Sequence, residues 1–242
     1  MDYKDLQAGQ IKENFWFKAK NDLIDVLMKK ACNNSRQLKI LNIGAGTGDD
    51  LEILNKFGKN YIIDIDKNAL SVIDNKSCEE KKIAGACNLP YPDNFFDVVV
   101  SFDVFEHIKN DQKAISEVYR VLKDRGILVF TVPAFQFLFS SHDKALNHQR
   151  RYSKKSIETL LSQFNLKIFF WNSLLFVPMA SMRLLKRNSK PKVDKTNLPS
   201  WLNALFFNLL KMDNFLITRS VSMPIGLSIV GYGCKRKEVS GK

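Results

Sequence analysis

The sequence predicts an α/β protein, a mainly parallel sheet with helices on both faces and a helical insertion before the last strand. Three observations predict it. From Lys39 to Pro133 short apolar runs alternate with helical patterns, the order of a parallel sheet. Gly44, Gly46 and Gly48 follow the first apolar run, where a chain leaving a buried strand turns sharply into a helix. A long segment rich in Leu and Phe separates the last two candidate strands, too long for an ordinary connection.

Each element has its own pattern. Residues 15–32 read as an amphipathic helix, and residues 39–43, 61–65, 96–102 and 126–132 as buried strands. Ala114, Ile115, Val118, Val121 and Leu122 recur at helical spacing behind a cap at Asn110. Residues 133–152 form a polar loop, and Ile157, Leu160 and Leu161 line one side of a short helix. Residues 166–170 and 228–232 are the last two strands. The chain thus divides into a helical extension (1–36), a cofactor-binding sheet (37–172), a hydrophobic and basic insertion (173–226), and a last strand with its tail (227–242), all within one domain of 242 residues.

Composition narrows the setting. Cys32, Cys78, Cys87 and Cys234 are scattered without a Cys-x-x-Cys pair, which reads as reduced thiols in a cytoplasmic protein. Met1-Asp2-Tyr3-Lys4-Asp5 is polar and carries no apolar leader, so secretion is not expected. The net charge is +12, concentrated at Arg183, Lys186, Arg187, Lys190, Lys192 and Lys195 against Asp194 alone. Such a run suits an anionic membrane surface or a nucleic acid, or is a solvated linker.

The glycine loop Asn42-Ile43-Gly44-Ala45-Gly46-Thr47-Gly48 alone is compatible with several nucleotide-type cofactors. Asp64, twenty positions after Gly44, stands at the end of the next strand, where a carboxylate can accept from two ribose hydroxyls. A dinucleotide fingerprint requires glycine at the sixth loop position, but that place is held by Asp49, followed by Asp50. Two carboxylates there repel a pyrophosphate. They suit S-adenosylmethionine, which bears an ammonium and a sulfonium and no phosphate.

The spacing around the loop resembles the class I S-adenosylmethionine-dependent methyltransferases, specifically those with the type 11 methyltransferase domain and their Rossmann-like sheet. The resemblance runs through Leu41–Gly48, Ile63-Asp64-Ile65-Asp66, Leu89-Pro90-Tyr91-Pro92-Asp93-Asn94-Phe95-Phe96-Asp97 and Val98-Val99-Val100-Ser101-Phe102-Asp103-Val104-Phe105-Glu106-His107. It implies that Asn42, Gly44, Ala45, Gly46 and Gly48 lie against the methionine and ribose parts of the cofactor and that Asp64 and Ile65 take the ribose side. It places Ala86 and Cys87 beside the adenine, and Phe102, Asp103 and His107 toward the methionine. Two positions depart from the family: Asn42 stands where an acid is frequent, and Gly85 where an Asp often meets the adenine amino group.

A subgroup resemblance extends this over nearly the whole chain. Glu13-Asn14-Phe15-Trp16-Phe17-Lys18-Ala19-Lys20 is similar to a Glu-x-x-Trp-Phe-x-x-Arg entry motif, with Lys20 for the usual arginine. The same subgroup has a His-Asp…His-x-Arg-Arg-Tyr loop, here from His142 to Tyr152, and a late Pro-x-Gly-x-Ser, here Pro224 to Ser228.

Methyl transfer depends on positioning, with a base where the acceptor must lose a proton. In the polar loop, His142 or His148 is a candidate base, with Asp143 to orient it. Arg150, Arg151 and Tyr152 are candidate acceptor-binding residues, the arginines holding an anionic group. The alternative, arginines that tie the loop to the core, stays open. A metal at Asp103, Glu106 and His107 is weighed and not adopted, since ligand types alone select poorly.

The insertion combines an apolar run over residues 174–180 with a stripe of Leu202, Leu205, Phe206, Leu209 and Leu210 behind Trp201. Neither reaches the roughly twenty apolar residues of a spanning helix. Three readings remain: helices lying on the inner membrane face, a lid over an apolar substrate, or a packed subdomain. The acceptor expected is a small or lipid-linked molecule, polyprenyl, glycolipid or quinone-like, methylated on oxygen or carbon. The alternatives are a nucleic-acid methyltransferase or a non-catalytic cofactor-binding protein at the membrane. Ser101-Phe102-Asp103-Val104 lacks the Asn/Asp-Pro-Pro-aromatic motif of exocyclic base methylation, which argues against nucleic acid.

Overall fold

A computed structural model describes residues 14–237, except Asn34, Arg36 and residues 191–197. The N-terminal pentapeptide, Glu13 of the entry motif, Lys192, Asp194, Lys195 and the last five residues lie outside the described residues.

Helix α1 (Phe15–Cys32) starts where the Asn14 side chain accepts from Trp16 N–H and ends on Asn33 in the left-handed region. Its face of Leu23, Ile24, Leu27 and Met28 is buried against the sheet. The sheet has seven strands: β1 (Leu38–Ile43), β2 (Gly58–Asp64), β3 (Glu80–Ile83), β4 (Phe96–Phe102), β5 (Leu122–Pro133), β6 (Phe164–Trp171) and β7 (Ser228–Lys235). Their order is β3-β2-β1-β4-β5-β7-β6. The first five pair in parallel, and β7 is antiparallel to both β5 and β6. The order reverses between β1 and β4, so a crevice opens beyond their carboxyl ends, where open α/β sheets bind ligands.

Short helices α2 (Leu51–Leu54) and α3 (Lys67–Ser71) follow β1 and β2. Helix α4 (Asp111–Val121) begins as expected, with Asn110 accepting from Lys113 N–H. It buries Ala114, Ile115, Val118 and Val121 on one face of the sheet, together with Ile157 of α6 (Lys154–Leu160). A short α5 (Ser141–Ala145) lies in the loop after β5. The opposite face is covered by α1 and by the insertion.

That insertion forms α7 (Phe176–Leu185) and α8 (Ser200–Thr218). Helix α8 is docked on α1. The Phe15 and Phe206 rings meet edge to face at 5.3 Å, and Phe15 N–H donates to Asn203 Oδ1. Asn214 is buried, donating to Ala19 O and accepting from Trp171 Nε1, while Asp213 accepts from Ser173 N–H. These bonds fix α8 as packed structure. Its outer side nevertheless exposes Trp201, Leu205, Met212 and Phe215, and α7 exposes Val177, Leu184 and Leu185. No helix among the described residues is long and apolar enough to cross a membrane.

Three details differ from the sequence expectation. Strand β3, Glu-Lys-Lys-Ile, goes unrecognised because an edge strand with half-buried, charged residues has no apolar signature. Leu122 opens β5 instead of closing α4. Ile65 lies beyond the end of β2 and is 78% exposed, so it belongs to the crevice rather than to the core.

Candidate active site

A cavity of about 590 Å³ opens at the carboxyl ends of β1, β2 and β4, within the roughly 300–1,000 Å³ of small-molecule sites. The glycine loop forms its floor. Gly44, Gly46 and Gly48 all have positive φ, at 70°, 53° and 75°, a region that strains other residues. At Gly44 an added Cβ would lie 2.5 Å from Val104 Cγ2, so the loop and the β4 end meet only because that side chain is missing.

Asp64 locks this loop in place. Its Oδ2 accepts from Gly46 N–H at 2.8 Å and its Oδ1 from Asp66 N–H at 2.8 Å. Each oxygen keeps a second lone pair for a ligand hydroxyl. Asn42 is not at the cavity. Buried behind the loop, it donates its amide to both oxygens of Asp50 at 3.0 Å. Burial pushes the Asp50 carboxyl above its ordinary value. Ala45 is packed among Leu51, Ile62, Leu70 and Ile73, and Gly48 serves the turn. The sequence pattern could not separate these supporting residues from those on the wall.

Ile65, Ala84 and Ala86 line the cavity's next wall. Cys87 faces a neighbouring groove with Gly85, its thiol 3.4 Å from Asn110 O. A Cβ at Gly85 would meet nothing nearer than Ile65 Cγ2 at 3.8 Å.

At the end of β4, Phe102, Asp103 and His107 reach the cavity. Asp103 adopts φ 56° and is held from two sides. Thr131 Oγ1 donates to its Oδ1 at 2.9 Å, and Lys20 Nζ to its Oδ2 at 2.5 Å. Burial alone would raise its pKa, but Lys20 and Thr131 bring it below the ordinary carboxylate range. Lys20 is buried, with Nζ 4.8 Å from the Trp16 ring centroid. It was missed as a site residue, although its place four residues after Trp16 in the entry motif was a signal. Glu106 is fully buried, and neither carboxylate oxygen has a hydrogen-bond partner among the described residues. Burial, reinforced by the charge of Asp103, pushes its carboxyl well above the usual value.

Comparison with known proteins places this geometry. The family model for a methyltransferase domain matches residues 41–130, the segment that carries the glycine loop, Asp64 and the β4 end. Residues 41–130 thus carry a methyltransferase domain, and the chain is similar to S-adenosylmethionine-dependent methyltransferases. An uncharacterized protein of Methanocaldococcus jannaschii is 31% identical over 155 residues, covering 64% of this chain and 66% of that protein. A probable S-adenosylmethionine-dependent methyltransferase of Mycolicibacterium smegmatis is 25% identical over 157 residues, covering 63% and 60%. The match thus spans less than two thirds of either relative's length. The YcgJ protein of Bacillus subtilis superposes with a TM-score of 0.59 at 19% identity, over 88% of this chain and 98% of that one, which shows a shared fold.

The loop after β5 closes one side of the cavity with Leu146, Asn147 and Gln149. Asp143 is the anchor of that loop and is fully buried. Its Oδ1 pairs with His148 Nδ1 at 2.9 Å and accepts from Arg151 Nε at 2.8 Å. Its Oδ2 accepts from Arg151 Nη2, Ser140 N–H and Ser140 Oγ. Burial would raise Asp143, yet His148 and Arg151 hold it far below the usual carboxylate range. The His148 ring stands edge to face on His107 at 4.6 Å. His142, on α5, does not line the cavity.

The candidate acceptor residues have framework partners. Arg151 is buried on Asp143 and also donates to Ala134 O. Arg150 donates to Asp111 and to Lys109 O, and Tyr152 OH lies within hydrogen-bond distance of both Asp111 Oδ2, at 2.9 Å, and Phe105 O, at 3.0 Å. With Gln149 N–H on Glu106 O, these bonds clamp the loop onto the segment after β4. Arg151 and Tyr152 therefore tie the loop to the core, and neither lines the cavity. A side chain whose donors are already paired in the interior gains little by turning outward.

Proposed function

We propose that this chain transfers the methyl group of S-adenosylmethionine to an oxygen or carbon of a small or lipid-linked acceptor. The observation that carries the reading is the cavity at the sheet's reversal point, with Asp64 fixing a positive-φ glycine loop. Bound there, S-adenosylmethionine supplies a sulfonium-activated methyl.

The residues fit that group. Asp64 has free lone pairs for ribose hydroxyls, Ile65 and Ala86 offer apolar surface to an adenine, and Asp103 gives a carboxylate toward an ammonium. The acceptor approaches from the side of His107 and Gln149. His148, held through Nδ1 by Asp143, presents its other ring nitrogen as the proton acceptor for a substrate that must be deprotonated. Positioning supplies the remainder of the rate.

The lipid-linked class draws support from α7, which packs Ala180 against Leu138 beside this loop, while Ser189 Oγ bonds Ser141 Oγ. Leu184 and Leu185 are exposed next to Lys186 and Arg187, a pairing suited to an anionic membrane face, while Arg183 turns inward, 3.7 Å from Asp143 Oδ2. Incubation with methyl-labelled cofactor and separate lipid and aqueous extracts is the test. Label in a lipid product supports the reading, and label confined to RNA or protein would refute the acceptor class. Flotation with anionic liposomes at low salt checks the membrane face, and a chain left wholly in the soluble fraction would contradict it.

A further inference from the structure

We propose that Glu106, His107 and His148 form a binding site for one divalent metal ion of the zinc class, on the acceptor side of the cavity. The proposal rests on the methyltransferase reading for its role, though not for its ligands. One ligand atom from each residue lies within 4.8 Å of the others.

Four observations converge on it. Glu106 is entirely buried with both oxygens unpartnered among the described residues, an arrangement that costs free energy unless a cation or donor completes it. The nearby cations are already engaged, Lys20 by Asp103 and Arg151 by Asp143. His148 is bound through Nδ1 to buried Asp143, which leaves Nε2 to coordinate; with an ion bound there that nitrogen no longer serves as the base, and the ion would acidify the acceptor hydroxyl in its place. A carboxylate on the far nitrogen is the usual support of a metal-bound histidine, fixing its tautomer and ring orientation. His107 belongs both to this cluster and to the cavity wall, so an ion held here faces the cavity.

Two imidazoles and one carboxylate suit zinc, and three protein ligands leave a position open. Around zinc at about 2.0–2.1 Å, tetrahedral ligand atoms lie about 3.3 Å apart, so closure requires a movement of about 1.5 Å at most. His107 sits in a short 3-10 turn and His148 in a loop, where side-chain rotation covers that distance. The open position takes an acceptor oxygen. This narrows the acceptor to a compound bearing a hydroxyl or enol group beside the atom methylated, or on it.

The test is calorimetric titration of zinc chloride into the chelator-treated full chain, with a competing chelator to set the affinity. One equivalent should bind to the wild type, and at least tenfold more weakly to Glu106→Gln and to His148→Gln. Cobalt(II) should give the visible absorption of a low-symmetry site in the wild type alone. Circular dichroism checks that each variant folds; Glu106→Gln is nearly isosteric, puts a neutral amide in place of the buried carboxyl, and should remain folded. Equal zinc affinity in wild type and both variants, or no stoichiometric binding, would overturn the site. S-adenosylmethionine is titrated into the same samples. Binding of that cofactor without a zinc site sinks only this inference, whereas a zinc site without cofactor binding sinks the proposed function and leaves the metal site standing.

Discussion

Replacing Lys20 by Met probes how the entry helix supports the cofactor cavity. Lys20 Nζ lies 2.5 Å from Asp103 Oδ2, and its own side chain is nearly buried. Two unit charges about 3 Å apart attract by roughly 5 kcal/mol at an effective dielectric near 20. The net loss is smaller, because the variant also avoids desolvating the ammonium. Removing one partner of a buried pair costs about 3–5 kcal/mol. The Asp103 side chain is 28% exposed and keeps its bond from Thr131, so water screens part of the loss. We expect about 2–3 kcal/mol, a fall in Tm of about 5–10 °C for a chain of this size. Lys20 holds the folded-state pKa of Asp103 below its unfolded value. The stabilisation is therefore present above the unfolded carboxylate pKa of about 3.9 and is lost as pH falls through the folded value. Thermal melts of wild type, Lys20→Met, Asp103→Asn and the double variant complete the cycle. The account expects a coupling of about 2 kcal/mol at pH 7 that fades in acid. Additivity within about 0.5 kcal/mol would refute it.

Other outcomes follow from the same geometry. Gly85→Asp places a carboxylate where the groove has room, and should tighten S-adenosylmethionine binding about tenfold through a charge-assisted bond to the adenine amino group; titration showing weaker binding would contradict that placement. Arg151→Met leaves buried Asp143 short of its main cation and should cost about 3–5 kcal/mol in urea unfolding. A loss of substrate affinity at unchanged stability would instead return Arg151 to the acceptor. The Cys32 thiol, buried in the core, is pushed up to about 12, so a thiol reagent at pH 8 should leave it unmodified until the chain unfolds. Modification as fast as at Cys234 would show that α1 is loosely packed.

Much of this was legible from the residues alone. The α1 boundaries, the Asn110 cap and the central strands follow from apolar periodicity, because these elements bury one face or both. Strand β3 escaped because edge strands carry charge. Within the site, the glycines and Asp64 were visible as a spacing. What spacing does not contain is direction. Asn42 and Gly44 are two residues apart, yet one faces Asp50 behind the loop and the other faces the cavity. Arg150 and Arg151 resembled anion holders until Asp111, thirty-nine positions before Arg150, and Asp143, in the same loop as Arg151, proved to be their partners. Glu106 and His148 lie forty-two positions apart, so only the fold could bring them together.

The most direct measurement of the central claim is calorimetric titration of S-adenosylmethionine into the wild-type chain and into Asp64→Ala. Asp64 serves both the ribose and the Gly46 N–H, so its removal takes a ligand contact and loosens the loop that faces it. The account predicts one equivalent bound by the wild type and a loss of at least tenfold in the variant, with the melting transition still cooperative. Equal affinity in the two proteins, or no binding to the wild type, would contradict the assignment of this cavity to the methyl donor.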